Sequence, residues 1–369
     1  MAKKKILCFI DGLDSGGAQR QLVGLADVLL QSGLFDVLIV AYKKNADFYS
    51  DQLKAKGIPF IIEKKYGMSR IRGFRVLRRH CQLFGPDLII SFLGETNLFA
   101  SIYHIINKVP LIVSERNTIV DPTLFDKIRF ILYKWVDCIV PNSYSQGKYI
   151  ANNYPKLMDK IKTIVNFVDT DRFKPNYGLR QENLDWLRMI VVARVQPQKN
   201  VLNFIRSLSK VGCNGEKKIV VDWYGDLSNS KYVNECKTLC GEMGVDSILT
   251  FRGEVQNVLE QYVCSDVLCL PSLYEGTPNV ICEAMACGLP ILCSDVCDNC
   301  KYVENDVNGY RFDPVDPEDI ANKINMFMQL DKTQRQSMSR KSRSMAEELF
   351  SKEKFAEEWI SVIKKITKL

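Results

Sequence analysis

Short apolar runs alternate with longer segments of helical periodicity along most of the chain. The first series of runs predicts strands at Lys4–Ile10, Val37–Tyr42, Phe60–Ile62, Leu88–Phe92, Leu111–Ser114, Cys138–Pro141 and Lys162–Val165. The second series predicts strands at Met189–Ala193, Ile219–Tyr224, Ile248–Arg252, Val267–Leu270 and Ile291–Ser294. Strands that alternate with helices are typical of an α/β fold with doubly wound parallel sheets.

A polar stretch without periodicity, Asp169–Asp185, separates the two series. It contains Pro175, Asn176 and Gly178, residues that favour turns and loops. We therefore expect a linker here and two domains, residues 1–170 and 171–352, that face each other across a cleft. A chain of 369 residues is long enough to give each domain its own hydrophobic core.

The segment Pro271–Val296, PSLYEGTPNVICEAMACGLPILCSDV, predicts a strand end, a loop, a helix, a turn and the next strand. Thr277 suits the helix N-cap, and Pro278 suits the first helical position, where a missing N–H has no cost. Gly288 is typical of the residue that follows a helix. The sequence thus predicts a helix N-terminus at the carboxyl edge of a parallel sheet, where open α/β sheets bind phosphorylated ligands.

Two carboxylates in this segment have seven residues between them. Glu275 lies in the loop, where it would face the reacting end of a ligand. Glu283 lies about two helical turns further along, where it could accept hydrogen bonds from ribose hydroxyls. Taken alone, Glu283 is equally well explained as a solvated helix residue.

This E-x7-E segment resembles the signature of the family-four retaining glycosyltransferases of GT-B type. The resemblance continues through GGAQRQLVGLADVL from Gly16, NFVDTDRF at Asn166–Phe173, ARVQPQKN at Ala193–Asn200, and YGD and FRG within Tyr224–Gly253. It implies two Rossmann-like domains, with a C-terminal helix at residues 353–369 that packs back on the first. It also implies glycosyl transfer from a nucleotide sugar, most often UDP-linked, without a metal ion or another cofactor.

The resemblance assigns residues to three parts of the site. The catalytic set is Glu275, Arg194, Lys199 and Arg116. The donor-binding set is Gly16, Gly17, Gly225, Gly276, Thr277, Pro278, Asn279 and Glu283. The acceptor-binding set is Glu115, Asn117 and Arg20, although Arg20 taken alone is equally well explained as a surface residue of a first helical turn. Without a metal ion, cations and helix amides must stabilise the charge that develops on the leaving phosphate.

Two positions depart from the family pattern. The usual Gly-x-Gly after the third strand of the second domain is Gly225-Asp226-Leu227 here, which weakens the case for nucleotide contacts from that loop. Arg116 takes the place of a histidine that many members carry. Because a guanidinium cannot act as a base at neutral pH, we expect an electrostatic or positional role for Arg116.

Positive charge is concentrated in the first half of the chain. Met1–Thr170 holds 24 Lys and Arg against 15 Asp and Glu, and Lys64–Arg79 holds seven basic residues and no acid. This segment predicts a basic amphipathic helix that docks on an anionic membrane, although a solvated outer face explains it equally well. No nucleic-acid partner is expected.

The rest of the composition favours a cytoplasmic protein. No apolar run approaches the ~18 residues of a spanning helix, and the five apolar residues before Asp11 are too few for a signal-peptide core. The 13 cysteines are expected to be reduced, and Cys297-x-x-Cys300 lacks the second ligand pair of a structural zinc site. Asp169-Thr170-Asp171 has the DxD spacing of manganese-dependent glycosyltransferases of another fold, and we interpret it as a false match.

The sequence therefore predicts a retaining, metal-independent glycosyltransferase that uses an NDP-sugar. The basic first half favours a polyprenyl-diphosphate-linked glycan acceptor at the cytoplasmic face of a membrane, although a soluble glycan or small alcohol stays open. Two alternatives also stay open: a sugar-nucleotide epimerase or phosphorylase on the same fold, and a non-catalytic protein that binds a nucleotide sugar. The sequence does not identify the sugar.

Overall fold

The computed structural model describes residues 2–43, 47–63, 71–117, 119, 121–176, 186–212 and 218–369. The chain divides into two compact units. One comprises Met1–Phe167 together with Lys352–Leu369, and the other comprises Val168–Ser351. Each unit contains a six-stranded parallel sheet, which confirms the predicted α/β class with two doubly wound sheets.

The first unit is built on a sheet with the strand order β3-β2-β1-β4-β5-β6. Its strands are β1 (Lys4–Ile10), β2 (Phe35–Ala41), β3 (Phe60–Ile62), β4 (Leu88–Phe92), β5 (Leu111–Glu115) and β6 (Cys138–Pro141). Its helices before the chain enters the second unit are α1 (Gly17–Gln31), α2 (Ser50–Ala55), α3 (Arg72–Phe84), α4 (Gly94–Asn107), α5 (Leu124–Leu132) and α6 (Tyr144–Asn153). Except for the half-buried edge strand β3, the strands are largely buried apolar runs, as expected when helices cover both faces of a parallel sheet.

The second unit repeats this architecture with the strand order β12-β11-β10-β7-β8-β9. Its strands are β7 (Trp186–Val192), β8 (Lys218–Tyr224), β9 (Leu249–Gly253), β10 (Val267–Leu270), β11 (Ile291–Ser294) and β12 (Gly309–Phe312). Its helices are α7 (Val201–Leu208), α8 (Ser230–Met243), α9 (Val258–Val263), α10 (Asn279–Ala286), α11 (Asn299–Tyr302), α12 (Pro317–Gln329) and α13 (Lys332–Phe350).

The last helix, α14 (Lys352–Thr367), belongs to the first unit. Phe355, Trp359 and Ile363 enter the same hydrophobic core as the inner faces of β1 and α1. The Trp359 ring stacks on Phe92 with centroids 6.1 Å apart. Asp27 of α1 accepts a hydrogen bond of 2.8 Å from Lys352, so a charged contact supplements the apolar packing.

Both sheets contain a point where the direction of winding reverses, between β1 and β4 in the first and between β7 and β10 in the second. Loops from two adjacent strands diverge at such a point and leave a crevice beyond the carboxyl ends of the strands. The loops that leave β7 and β10 carry Arg194, Lys199 and Glu275, three of the four residues of the predicted catalytic set. The topology therefore brings two segments together that are more than 70 residues apart in the chain.

Two details of the predicted strands are wrong. Lys162–Val165 is not a strand, although the N–H groups of Lys162 and Ile164 donate to Ile139 and Pro141 of β6. Pro141 has no N–H to return, so this edge cannot form a full ladder. β12 was not predicted, because the four residues of Gly309–Phe312 include a glycine and an arginine and form no apolar run.

Candidate functional site

The loops after β7 and β10 are held together by three contacts. The ammonium group of Lys199 forms an ion pair with the carboxylate of Glu275. Gln198 Nε2 donates to the carbonyl of Tyr274 at 2.8 Å, and the Leu273 N–H donates to the carbonyl of Gln198 at 2.9 Å. The structure therefore brings together Lys199 and Glu275, two of the residues to which the sequence assigned catalytic roles.

The Lys199–Glu275 pair is largely withdrawn from solvent, since the two side chains are 13% and 11% exposed. Charges in such a place are costly unless they are paired, so each residue stabilises the other. A phosphate that approaches Lys199 competes with Glu275 for the same ammonium group. Its binding would leave the carboxylate available for a sugar hydroxyl.

Gly225, the first residue after β8, packs closely against the start of the loop that follows β7. Its φ of +152° is one that residues with a side chain rarely adopt. A Cβ at this position would lie 2.1 Å from the carbonyl oxygen of Ala193 and 3.0 Å from the Arg194 nitrogen. The Arg194 side chain that follows is exposed and forms no hydrogen bond or ion pair with other described residues. Gly225 thus supports the loop through backbone contact, whether or not it touches a nucleotide.

Asp226, the middle residue of Gly225-Asp226-Leu227, fixes the turn that follows Gly225. Both Asp226 carboxylate oxygens accept hydrogen bonds from Ser228, one from its N–H and one from its hydroxyl, each at 2.7 Å. These bonds hold the pKa of Asp226 below its usual range, and the nearby Arg194 charge lowers it further. Leu227, which takes the place of the second glycine, follows this turn.

The helix that follows β10 starts one residue later than predicted. α10 begins at Asn279 with Pro278 as the N-cap, and the hydroxyl of Thr277 lies 3.4 Å from the hydroxyl of Tyr302. Thr277 and Pro278 are buried, whereas Gly276 and Asn279 are half-buried. The first amides of α10 remain at the carboxyl edge of the sheet, next to the loop that carries Glu275.

Glu283 is not a solvated helix residue, since only 4% of it is exposed. Its carboxylate accepts a hydrogen bond of 3.1 Å from the hydroxyl of Tyr262, at the end of α9. Sequence reasoning missed Tyr262, and no local pattern marks it, because it lies 21 residues away and meets Glu283 only through the packing of two helices.

In the first unit, the glycine pair follows β1 at the point where the sheet reverses its winding. Gly16 is the N-cap of α1 and Gly17 is the first residue of the helix. The N–H of Arg20 donates to the carbonyl of Gly16 at 3.1 Å, and its side chain is half-buried. These three residues share the carboxyl edge of the first sheet with Arg116, which directly follows β5.

Arg116 is a buried cation with incomplete hydrogen bonding. It is 9% exposed, its guanidinium lies 4.4 Å above the Phe92 ring, and Nη1 donates to Asn166 at 3.0 Å. Among the described residues, Nε and Nη2 have no hydrogen-bond partner. Burial lowers the pKa of Arg116 to about 9, which still leaves it charged at neutral pH. The structure thus holds an uncompensated positive charge, with two donor nitrogens unused, at this edge of the sheet.

Glu115 does not lie where an acceptor could reach it. It is 2% exposed, and its carboxylate is engaged by the hydroxyl of Tyr133, the amide of Asn97 and the guanidinium of Arg129. The side chain therefore joins β5 to α4 and α5, and the predicted acceptor contact is corrected to a supporting role. Asn117, two residues further on, is exposed. The partners of Glu115 come from distant helices and have no signal in the sequence.

Three further expectations concern the basic segment, metal binding and membrane-spanning helices. Lys64–Arg70, the first part of the basic segment, lies outside the described residues, and α3 contains the remainder. No three or more His, Cys, Asp or Glu residues are grouped to hold a metal ion in the described part of the chain. Within the same residues, no helix is both long and apolar enough to cross a membrane.

Comparison with known proteins gives the family. Residues 15–172 match the model named Glycosyltransferase Family 4, and residues 180–345 match Glycosyl transferases group 1. The chain is 25% identical over 375 residues to an α-1,4-N-acetyl-D-galactosaminyltransferase of Campylobacter jejuni that acts on a diphospho-undecaprenol-linked glycan, covering 98% of this chain and 99% of the relative. It is also 25% identical over 322 residues to an α-1,3-galactosyltransferase of Escherichia coli named for UDP-Gal and GlcNAc-diphosphoundecaprenol, covering 80% and 81%.

Solved structures share the fold. The Anabaena protein HepE in complex with UDP-glucose superposes with a TM-score of 0.82 at 19% identity, over 99% of this chain and all of HepE. A glycosyltransferase from Rickettsia africae superposes with a TM-score of 0.84 at 18% identity, over the full length of both chains. With family models matched along most of its length, the chain belongs to glycosyltransferase family 4 and is a glycosyltransferase of GT-B type.

Proposed function

We propose that this glycosyltransferase moves a hexose or N-acetylhexosamine from a UDP-sugar to a polyprenyl-diphosphate-linked glycan, with retention of configuration and without a metal ion. The observation that carries the donor half is the junction of the β7 and β10 loops, where Lys199, Glu275 and the first amides of α10 occupy one sheet edge. Cations and amides at a winding reversal are suited to a nucleoside diphosphate.

In this proposal the donor diphosphate contacts Lys199, Arg194 and the N-terminus of α10. The phosphate displaces Glu275 from Lys199, and the freed carboxylate accepts a hydrogen bond from a sugar hydroxyl. Lys199 and Arg194 then stabilise the charge that develops on the leaving phosphate. Glu283, with Tyr262 already bound to it, accepts hydrogen bonds from the ribose. Retention follows from attack on the face that the leaving phosphate vacates.

Arg116 supports an anionic acceptor. Two of its guanidinium nitrogens have no partner in the part of the chain that the structure describes, and the cation is buried against Phe92. An anion that reached it would therefore gain an ion pair and hydrogen bonds. A diphosphate-linked acceptor supplies such an anion, and the diphospho-undecaprenol acceptors in the names of two relatives agree with this choice. Peripheral attachment to a membrane, with α3 towards anionic lipid, belongs to the same proposal.

The experiment is a panel of UDP- and GDP-sugars tested for nucleotide release with diphospholipid-linked and soluble glycan acceptors, in the presence and absence of EDTA. We expect turnover with a UDP-sugar and a diphosphate-linked acceptor, and the same rate with EDTA. NMR of the product should show that the transferred sugar keeps the anomeric configuration that it had in the donor. Glu275→Gln should lower kcat/KM by about 100-fold or more while UDP still binds. Turnover of Glu275→Gln near the wild-type rate would remove the catalytic assignment, and an epimerised free nucleotide sugar would favour the alternative enzyme.

A further inference from the structure

The ring of Phe92, the last residue of β4, contacts two side chains that come from distant parts of the chain. The guanidinium of Arg116 lies 4.4 Å above this ring, and the indole of Trp359 stacks on it with centroids 6.1 Å apart and planes inclined by 17°. Phe92 and Trp359 are fully buried, and Arg116 is nearly so. The last helix of the chain, α14, therefore reaches the buried cation at the carboxyl edge of the first sheet through a single ring.

Asn166 is the second support of this guanidinium. Its Oδ1 accepts the hydrogen bond of 3.0 Å from Nη1 of Arg116, and Asn166 is itself buried. The next residue, Phe167, is fixed to α1 through its backbone. Its N–H donates to Oε1 of Gln21 at 3.0 Å, and its carbonyl accepts from Nε2 of Gln21 at 2.9 Å. Because the adjoining backbone is held in this way, Asn166 offers the guanidinium an acceptor in a fixed place.

The two supports of Arg116 are joined to each other through α14. The ring centroid of Phe355 lies 4.8 Å from that of Phe167 and 6.2 Å from that of Trp359. Phe167 also packs closely on α1, since a Cβ at Gly24 would lie 2.1 Å from its ring. The contacts therefore close on themselves, and they run from Arg116 through Phe92, Trp359, Phe355, Phe167 and Asn166 back to Arg116.

These supports matter because the useful part of Arg116 is the part that they leave free. The face of the guanidinium rests on Phe92 and Nη1 is bound to Asn166, while Nε and Nη2 have no partner among the described residues. A guanidinium is planar and its N–H groups form a rigid fork, so a fixed plane also fixes the direction in which the free N–H groups point. A group that is oriented before its ligand arrives loses less freedom on binding.

We propose that Trp359 is a positioning residue, which orients the guanidinium of Arg116 through the ring of Phe92. Its part in the reaction rests on the proposed function, since the oriented guanidinium is the group that would bind the acceptor diphosphate. The last helix of the chain thereby acquires a role in acceptor binding besides its place in the core. Core packing alone is the competing explanation, because buried aromatic side chains commonly stack with this offset. The two explanations differ in what happens to Arg116 when the Trp359 ring is lost from a folded protein.

NMR of the Arg116 side chain tests the orientation directly. Its Nε–H signal, assigned in the isotope-labelled full chain by its loss in Arg116→Lys, should be shifted by the ring current of Phe92. In Trp359→Leu we expect this signal to move towards that of free arginine or to broaden. Trp359→Phe keeps a ring that can stack on Phe92, so its signal should stay close to that of the wild type.

Two further variants guard this test against a general loss of packing. Ile363→Ala is the matched control, because it removes buried apolar volume from the same helix and the same core and should leave the Arg116 signal in place. Phe92→Leu breaks the stack from the other side, so it gives the same information if Trp359→Leu does not fold. Urea unfolding shows which of the variants are folded.

Kinetics with a diphosphate-linked acceptor measure the consequence for the reaction. Trp359→Leu should raise the KM for this acceptor about tenfold, because a displaced guanidinium meets the diphosphate in a poorer geometry. The kcat and the affinity for UDP should stay the same, since Trp359 lies outside the donor loops. Ile363→Ala should have the KM of the wild type, and Trp359→Phe should recover most of the acceptor affinity.

A double-mutant cycle shows whether Trp359 acts through Arg116. Residues that depend on each other have non-additive effects, so Trp359→Leu should raise the acceptor KM no further in an Arg116→Gln background. Full multiplication of the two single effects overturns the proposal, as does an Arg116 signal that stays in place in folded Trp359→Leu or Phe92→Leu. If Arg116→Gln alone has the acceptor KM of the wild type, the contact between Arg116 and the acceptor diphosphate is contradicted. The NMR signal does not depend on turnover, and it then decides the orienting role of Trp359 by itself.

Discussion

At the scale of single residues, the proposed donor half of the site contains side chains that restrain one another. Lys199 and Glu275 neutralise each other, and Glu283 is held by Tyr262. Such pairing keeps charged groups in place inside a largely buried site at a lower cost than isolated charges would have. It also implies that substrate binding exchanges partners rather than orders loose side chains.

Removal of the carboxylate charge at position 283 tests the ribose contact. Glu283→Gln keeps the size of the side chain and still accepts the Tyr262 hydrogen bond, but it accepts more weakly from ribose hydroxyls. We expect the KM for the UDP-sugar to rise about tenfold with little change in kcat, since charged hydrogen bonds contribute about 1.5–3 kcal/mol. Tyr262→Phe is the control, because it removes the hydrogen bond from Tyr262 and leaves the carboxylate of Glu283 in place. An unchanged KM in Glu283→Gln would place the ribose elsewhere.

Gly225 offers a test of backbone support. In Gly225→Ala the new methyl group would lie 2.1 Å from the Ala193 carbonyl, at a φ that alanine disfavours. The start of the Arg194 loop must then shift, and we expect a stability loss of about 1–3 kcal/mol together with weaker UDP binding. Denaturant titration and calorimetry measure the two effects. Gly244→Ala, at a positive φ with open space around it, isolates the cost of backbone strain alone.

At the scale of elements, α1 and α14 are joined by a charged contact as well as by apolar packing. Asp27 is 4% exposed and accepts hydrogen bonds from Lys56 at 2.6 Å and from Lys352 at 2.8 Å. Burial by itself would raise the pKa of Asp27, but the bonds from Lys352 and Lys56 outweigh it and lower the pKa below its ordinary value. The ionised form therefore stabilises the folded first unit.

This contact predicts a pH dependence with a definite sign. A carboxylate whose pKa is lower in the folded state gives stability that is present above the unfolded pKa of about 3.9 and is lost as the pH falls through the folded value. Asp27→Asn should therefore destabilise the protein by about 2–3 kcal/mol at pH 7, and the difference from the wild type should shrink below about pH 4. Urea unfolding from pH 7 to pH 3 measures this difference in the free energy of unfolding. A difference that stays constant over this range would contradict the assignment.

At the scale of the whole molecule, the chain leaves the first unit after Phe167, builds the second, and returns with α14. The first unit is complete only when the last segment is in place, because Phe355, Trp359, Val362 and Ile363 are buried in its core. The second unit, Val168–Ser351, is continuous in the chain.

Truncation at Ser351 should therefore affect the two units unequally. Loss of the four buried side chains of α14 removes about 6–12 kcal/mol of apolar burial, which is comparable with the total stability of a domain of about 5–15 kcal/mol. We expect hydrogen exchange to show lost protection in residues 4–167 and retained protection in 186–351. Truncation after Thr367, which leaves α14 intact, is the control. Full protection of the first unit without α14 would contradict its structural role.

The sequence by itself determined the architecture and identified the segments that form the proposed donor loops. Buried parallel strands are apolar runs, helices have their own periodicity, and both patterns are local, so almost every strand could be predicted. The E-x7-E segment and the Arg194–Lys199 loop are likewise contiguous and could be recognised from their order.

Only the tertiary structure decided which distant side chains meet. Nothing local links Lys199 to Glu275, Glu283 to Tyr262, or Glu115 to Arg129, since these contacts depend on strand order and helix packing. The same holds for α5, where isoleucine at helical spacing has the same pattern whether it faces a core or solvent. The sequence records how apolar each position is, and burial depends on what the rest of the fold places next to it.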